Sequence, residues 1–148
     1  MPFQQSGFDW YDDEIRCIFE ALPDMIFVVT EDGTCIKFHS NRPENLPAPP
    51  EQIIGKKAAD FLPPGVAQRF LKLLPAAIAS GQQQSMAYRH ATLSNESRDF
   101  EARIIPCDRD KVLVLVRDMT DYMEAERGRL EAEREATDLR RKLSDGGA

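Results

Sequence analysis

The chain has 148 residues, of which 42% are hydrophobic, and this size suits one compact domain with an appendage. Its net charge of −6 at pH 7, with basic residues interleaved among acidic ones, gives no attraction to nucleic acid, so we expect no nucleic-acid partner. No apolar run approaches the roughly 20 residues that span a bilayer, and the N-terminus is acidic where a signal peptide is basic, so we expect no membrane segment and a cytoplasmic location.

The first predicted element is an amphipathic helix over Asp12–Leu22, which Pro23 prevents from continuing. Its apolar stripe follows the i, i+3, i+4, i+7 pattern and consists of Ile15, Ile18, Phe19 and Leu22. The stripe is consistent with ordinary core packing or with contact to a second copy of the chain. We assign residues 1–14 to an N-terminal extension and the helix to the flank of the domain.

A β-hairpin is predicted next, with strands at Met25–Thr30 and Cys35–Ser40. Asp32 and Gly33 between them supply the positive φ angles that a tight turn requires. Strict alternation in the second strand would place Cys35, Lys37 and His39 on one face, opposite Ile36 and Phe38. We therefore expect His39 on the wetter side of the sheet.

A proline-rich loop and several helices follow the hairpin. Asn41–Pro50 contains four prolines, which prevent regular hydrogen bonding. Short helical turns are predicted at Glu51–Ile54 and Lys57–Phe61, and a longer helix at Pro64–Ser80. Because Pro75 removes a hydrogen bond inside the longer helix, we expect a kink or a break there.

Three further strands are predicted at Gln84–Thr92, Arg98–Pro106 and Lys111–Asp118. The first two alternate in polarity, which is typical of strands with one wet face. The third carries five consecutive aliphatic residues, which indicates a strand covered on both faces. Its valines face one way and Leu113 and Leu115 the other, so we expect the N-terminal helix to cover these leucines.

The last strand leads into a charged helix through Asp118, Met119, Thr120 and Asp121, in which Asp118 or Thr120 is suited to cap the first turn. The helix is predicted over Tyr122–Leu143. Positions 122, 125, 129, 132, 136, 139 and 143 form an imperfect heptad seam. Gly128 weakens its start by about 1 kcal/mol relative to alanine. The seam predicts a coiled-coil linker over residues 122–148, with a single solvated helix or a frayed tail as the alternative.

The order of elements, together with four sequence stretches, resembles a PAS domain of the bacterial sensory type over Ile15–Glu126. The stretches are LPDMIFVVTEDGTCIKFHS, PPEQIIGKKAADFLP, DFEARIIP and KVLVLVRDMTD. The closing Asp-Met-Thr-Asp is similar to the D-[IM]-T-[DE] ending of such domains. The resemblance implies an α+β fold with a five-stranded antiparallel sheet, helices on one face, a domain over residues 15–121, and flanking helices at both ends.

In PAS domains a signal is read in a pocket between the sheet and the helices. The pocket lining expected here consists of Ile26 or Phe27, with Phe38, Phe61, Phe70, Leu73, Tyr88, His90, Phe100, Ile104 and Val114. The same residues would also form a closed hydrophobic core, which is the alternative interpretation. Tyr88, Arg89 and His90 could orient a small acid, although alternation lets only some of them face inward.

We expect no cofactor and no metal site. The cysteine motif of flavin-binding PAS domains is missing, and the long helix carries no histidine for haem, which leaves His90 as a weak candidate ligand. The cysteines at 17, 35 and 107 are widely spaced without a C-x-x-C pair, so we expect reduced thiols. Neither a catalytic constellation nor a glycine-rich phosphate loop is present, so we expect no enzyme activity in this chain.

We therefore expect a sensory module that relays a signal through Asp118–Asp121 into its C-terminal helix and on to an output domain of the histidine kinase or diguanylate cyclase type. It is expected to dimerise through the N-terminal helix, the sheet face that carries Leu113 and Leu115, and the C-terminal helix from Tyr122 onward. The alternatives are a sensor with a small molecule in the pocket and a stand-alone adaptor that binds a partner protein.

Overall fold

The structure, a computed structural model, describes residues 13–108 and 110–146, with the exception of the side chain of Ile15. Most of the predicted extension 1–14, and the predicted flank contact of Ile15, therefore lie outside the described residues. The chain forms two compact units, which divide between Asp118 and Met119. We call the described part of the first unit, residues 13–118, the sheet domain.

Five antiparallel strands form the sheet in the order β2-β1-β5-β4-β3. Their bounds are Met25–Thr30 for β1, Cys35–His39 for β2, Gln84–Ala91 for β3, Ser97–Pro106 for β4 and Lys111–Asp118 for β5. Each strand lies within one residue of its predicted bounds. The five-stranded antiparallel α+β fold expected from the sequence is confirmed.

The sheet domain contains three α-helices, α1 at Asp13–Ala21, α2 at Ala58–Phe61 and α3 at Pro64–Ser80, and 3₁₀ turns at Pro43–Asn45 and Pro50–Gln52. A kink or a break was predicted at Pro75, and the break is wrong, because α3 is one continuous helix of 17 residues that includes this proline, whereas a kink stays a prediction. Leu74 and Ala77, which flank the proline, are both fully buried. Their packing holds the helix together where one backbone hydrogen bond is missing.

The core lies on one face of the sheet, and β5 shows how the sequence defines that face. Val112, Val114 and Val116 are buried, whereas Leu113 and Leu115 are only half-buried. The strand register places Leu115 opposite Ile26, so the leucines share their face with Ile26 and not with the core. The alternation predicted for this strand is therefore observed.

The alternation of side chains predicted along β2 is wrong, because a β-bulge interrupts the pairing of this strand with β1. The register pairs Phe27 with Phe38 but Val29 with Cys35, so that Cys35 and Phe38 both face the core. A bulge adds one residue to a strand and reverses the alternation beyond it. His39, expected on the wetter side, is 1% exposed.

The helix α1 lies beside the end of β2. The Asn41 side-chain amide donates to the backbone carbonyls of Phe19, Glu20 and Leu22 at 2.7–3.0 Å. The ring of Phe19 meets His39 edge-on at a centroid distance of 6.4 Å. His39 pairs with Ile26 and shares its face, so α1 touches the face that carries the leucines. Contact between α1 and Leu113 or Leu115 themselves stays a prediction.

The second unit consists of one helix, α4, at Thr120–Gly146. It begins two residues before and ends three residues after the predicted range. Arg129 forms ion pairs along the helix with Glu126 at 3.0 Å and Glu133 at 2.6 Å. Among the described residues, no helix is both long and apolar enough to cross a membrane. Coiled-coil pairing of α4 stays a prediction.

Candidate functional site: a cavity beside the β5 junction

A partly open cavity of about 50 Å³ lies between the core face of the sheet and the helical segments. Seven of the predicted pocket residues line it: Phe27, Phe61, Phe70, Tyr88, His90, Phe100 and Val114. Ligand pockets for drug-sized molecules measure roughly 300–1,000 Å³, and a single water needs about 10–15 Å³. This cavity therefore has room for a few non-hydrogen atoms.

Three predicted pocket residues do not line the cavity. Phe38 is buried and stacks on Phe27 at a ring-centroid distance of 6.0 Å. Ile104 has no exposed surface, and Leu73 is half-buried against the core cluster. These three side chains pack the core, so the structure contains both a core and a cavity where the sequence left a choice between them.

Twelve further lining residues were missed by the prediction, and alternation along the strands marks five of them. Met25 and Val29 share a face with Phe27, Met86 with Tyr88, Ala102 with Phe100, and Val116 with Val114. The others that the structure adds are Gly33, Cys35, Asn45, Pro47, Ala58, Leu62 and Val66. Those in the proline-rich loop, Asn45 and Pro47, have no periodic pattern that could have identified them.

Tyr88 and Cys35 are titratable lining residues that remain neutral. Burial raises the pKa of the Tyr88 hydroxyl, and the ring lies 5.5 Å from that of Phe100. Burial also raises the pKa of the Cys35 thiol to about 12, and this thiol donates to the Lys37 carbonyl at 3.4 Å. Since a thiol reacts as the thiolate, Cys35 is a packing residue and not a nucleophile.

His90 is the lining residue whose hydrogen bonding is incomplete. Burial lowers the pKa of its imidazole, an effect that a hydrogen bond to the Pro47 carbonyl partly opposes. Its Nε2 atom is buried and has no hydrogen-bond partner among the described residues. Buried polar atoms are nearly always paired, so an unpaired nitrogen at a cavity wall is an unusual feature.

Asn45 connects the cavity to the end of β5. Its side chain is 8% exposed and lines the cavity. Its amide nitrogen donates to the Asp118 carboxylate at 3.4 Å, and the Arg98 guanidinium donates to the same carboxylate oxygen. The Asp118 carboxylate is the main cause that raises the pKa of Arg98. One carboxylate thus holds together the proline-rich loop, the start of β4 and the last residue of β5.

The four predicted relay residues, Asp118–Asp121, form the junction between β5 and α4. Asp118 ends β5, Met119 is half-buried, Thr120 is buried, and Asp121 is exposed in the first turn of α4. The Met123 N–H donates to the Met119 carbonyl at 2.8 Å, which starts the helical hydrogen bonds at Met119. The sequence assigned Asp118 to helix capping, and the structure shows that its carboxylate also binds Arg98 and Asn45.

The described residues predicted for the dimer and flank contacts differ in exposure. Ile18 and Tyr122 are each 58% exposed, whereas Phe19, Leu22, Leu113 and Leu115 are half-buried. Their role in association is therefore still a prediction.

The comparisons with known proteins identify the family. A model of the PAS fold matches residues 19–122, so the chain belongs to the PAS family of sensor modules. The PAS domain of a protein from Colwellia psychrerythraea has 18% identity and a TM-score of 0.61, with 74% of this chain and 97% of that chain covered. The comparison with curated proteins gives no match.

Two further structures with the same fold come from named proteins. The PAS domain of the RpfR quorum-sensing receptor of Cronobacter turicensis, in complex with BDSF, is 15% identical with a TM-score of 0.57; 67% of this chain and 96% of that chain are covered. The PAS domain of Bordetella pertussis BvgS is 16% identical with a TM-score of 0.56; 83% of this chain and 96% of that chain are covered.

Proposed function

We propose that this chain is a regulatory PAS module that passes a change at its cavity through Asp118 and along the chain into α4. The contact that carries this proposal is the hydrogen bond from Asn45 to Asp118. Asn45 lines the cavity, and Asp118 is the last residue of the strand that precedes α4. A ligand or side-chain movement that displaces Asn45 therefore changes the partners of the Asp118 carboxylate.

The proposed relay needs two arrangements of the junction whose populations the signal shifts. The Arg98 and Asp118 side chains are each about one-fifth exposed, so water still reaches the ion pair. Because the cost of desolvating the two charges offsets much of their attraction, the net contribution of the pair to stability is small, and its rearrangement is within the reach of a weak ligand. The Arg98–Asp118 pair is thus suited to be a switch and not a permanent clamp.

In the proposed mechanism, α4 continues to an output domain of the histidine kinase or diguanylate cyclase type, and the module itself senses without catalysing. The module acts as a homodimer, with α1, the leucine face of the sheet and α4 as candidate contacts. Tyr122, Leu139 and Leu143, which belong to the predicted seam, are 58–69% exposed and available for such pairing. We propose no flavin or haem, because a cavity of about 50 Å³ has no room for either cofactor, and no metal, because no group of three or more His, Cys, Asp or Glu side chains among the described residues could hold one.

The relay can be tested with the full chain by amide hydrogen exchange in α4 and by sedimentation. Asn45→Ala removes the link between the cavity wall and Asp118, and it should change exchange in the first turns of α4 and the dimerisation constant. Glu96→Ala is the matched control, because it removes only the outer partner of Arg98, at 3.1 Å. If both variants leave α4 unchanged, or both change it equally, the proposed relay is wrong.

A small-molecule sensor is the second candidate, and the cavity favours it. The structurally similar receptor domain from Cronobacter turicensis binds BDSF. The unpaired nitrogen of His90 gives a ligand in the present cavity a specific polar contact. Native mass spectrometry of the purified chain would detect a retained molecule. A ligand-free chain whose melting temperature no small molecule shifts would contradict this candidate function.

A further inference from the structure

The protonation pattern of His90 defines what its free nitrogen can bind. The imidazole ring hydrogen-bonds the Pro47 carbonyl, and Nε2 has no partner among the described residues, so the ring uses Nδ1 for this bond. A carbonyl oxygen only accepts, hence Nδ1 carries the proton. In a neutral imidazole the other nitrogen is then an acceptor. His90 therefore presents an unpaired acceptor at Nε2.

The rest of the cavity wall disfavours a charged ligand. None of the residues that line the described cavity is Lys, Arg, Asp or Glu. A carboxylate moved out of water needs a charged partner or several donors to offset the loss of hydration. An ionised carboxylate also has acceptor oxygens only, and it would meet another acceptor at Nε2.

The remaining lining is apolar over most of its surface. Met25, Met86, Phe70 and Phe100 lie among the cavity walls, and the methionine side chains can adapt to different shapes. The volume of about 50 Å³ corresponds to a few non-hydrogen atoms, and the partly open mouth lets a slightly larger molecule extend outward.

We propose that the cavity binds a small neutral molecule with an apolar body and one hydroxyl or N–H group, which donates a hydrogen bond to Nε2 of His90. The ligand class is thus short alcohols and small N–H heterocycles, and it excludes carboxylates. This inference rests on the sensory function proposed above and specifies its ligand. It also replaces the small acid that the sequence suggested as a ligand, because the cavity lining contains no Lys or Arg that could pair with a carboxylate.

Three probes with nearly the same carbon skeleton test the inference on the wild-type chain. They are 2-butanol, which donates; butanone, which only accepts; and butyrate, which is anionic. Titrations followed by protein NMR should show 2-butanol binding about 3- to 10-fold more tightly than butanone, which is the factor expected for one net hydrogen bond. Butyrate should bind more weakly than either. Equal affinity for the alcohol and the ketone, or tighter binding of butyrate, would overturn the proposal.

The contact itself can be located through histidine ¹⁵N chemical shifts. Saturation with 2-butanol should shift the Nε2 resonance of His90 as it accepts a hydrogen bond, while Nδ1 stays protonated. If Nε2 already accepts a hydrogen bond in buffer and no probe changes it, a water molecule occupies the cavity and the ligand proposal is wrong. The relay through Asn45 would survive that result, because its test needs no ligand.

Two variants separate His90 from the general shape of the cavity. His90→Phe keeps an aromatic ring and removes the acceptor, so it should abolish the preference for 2-butanol over butanone. Tyr88→Phe is the matched control, since it removes another polar group from the same wall and should preserve the preference. If His90→Phe does not fold, the three-probe comparison on the wild-type chain still decides the matter.

Discussion

The sheet domain and α4 obtain their stability in different ways. In the sheet domain the alternate residues of β1, β4 and β5 are buried in a common core with side chains from α3. In α4, Thr120 is the one buried residue of 27, and the apolar side chains of Tyr122, Leu130, Leu139 and Leu143 are at least 50% exposed. An isolated helix depends on local interactions, which are weak in water. The sheet domain is therefore the stable part, and α4 is the part on which the proposed relay would act.

The ion pairs show the same contrast. In the sheet domain some of them join residues far apart in sequence, as Arg117 does with Asp24 and Arg98 with Asp118, besides local pairs such as Arg98 with Glu96. In α4 they join neighbouring turns, as Arg129 does with Glu126 and Glu133. Pairs of the second kind contribute about 0.3–0.5 kcal/mol and fix no tertiary contact. Ion pairs thus connect distant segments within the sheet domain, whereas in α4 they add only to the local stability of the helix.

The largest effect is expected from deleting a core side chain. Leu74 in α3 has no exposed surface, so Leu74→Ala should lower the free energy of unfolding of the sheet domain by about 2–5 kcal/mol. Leu139→Ala makes the same chemical change at a site in α4 that is 59% exposed, and it should change that free energy by less than about 0.5 kcal/mol. Urea denaturation followed by far-UV circular dichroism would measure the free energy of unfolding of both variants.

Equal losses for the two leucine variants would show that α4 is packed as firmly as the core. That outcome would remove the contrast between the two regions and with it the basis for treating α4 as the responsive part.

The positions of these elements were predictable from the sequence where one local pattern dominates. The valine alternation in β5 identified the core face because each second side chain of a strand points the same way. The bulge in β2 was not predictable, since it depends on how Cys35 pairs with β1. The course of α3 through Pro75 was missed because burial of Leu74 and Ala77 outweighs the local cost of the proline.

Of the residues that line the cavity, those on the strands were the most predictable from the sequence. Phe27, Phe100 and Val114 follow from alternation along their strands. Asn45 belongs to a loop without periodicity, and its bond to Asp118 spans 73 positions of sequence. The unpaired state of His90 Nε2 depends on where Pro47 lies in three dimensions. Contacts of this kind are set by tertiary structure, which a single sequence does not encode as a local pattern.

A smaller loss of stability is expected when the ion pair between Arg117 and Asp24 is removed. The Asp24 side chain is 2% exposed and accepts two hydrogen bonds of 3.2 Å from Arg117. Arg117→Ala leaves a buried carboxylate without these donors and should destabilise the sheet domain by about 1–3 kcal/mol. The lower end of this range is expected because Arg117 is 49% exposed and water can replace part of the contact.

The corresponding variant in α4 is Arg129→Ala, whose effect on the same unfolding transition should be below about 0.5 kcal/mol. Adding Asp24→Asn to Arg117→Ala should recover part of the lost stability, because a neutral amide is cheaper to bury than a carboxylate. No recovery in the double variant would mean that shape, and not charge, makes Arg117 important.

The smallest effects come from replacing glycine with alanine, and here the two regions should respond with opposite signs. Gly128 lies inside α4, and a Cβ atom added there meets no other atom within 4 Å. Gly128→Ala should therefore stabilise the helix by about 1 kcal/mol, visible as slower amide hydrogen exchange in α4.

Gly81 ends α3 in the left-handed region with φ 67°. Gly81→Ala also meets open space, yet the strained backbone should cost the sheet domain about 1–2 kcal/mol. Unchanged exchange in α4 of the Gly128→Ala variant would mean that a second copy of the chain already holds the helix. The comparison is then repeated below the concentration at which the chain associates.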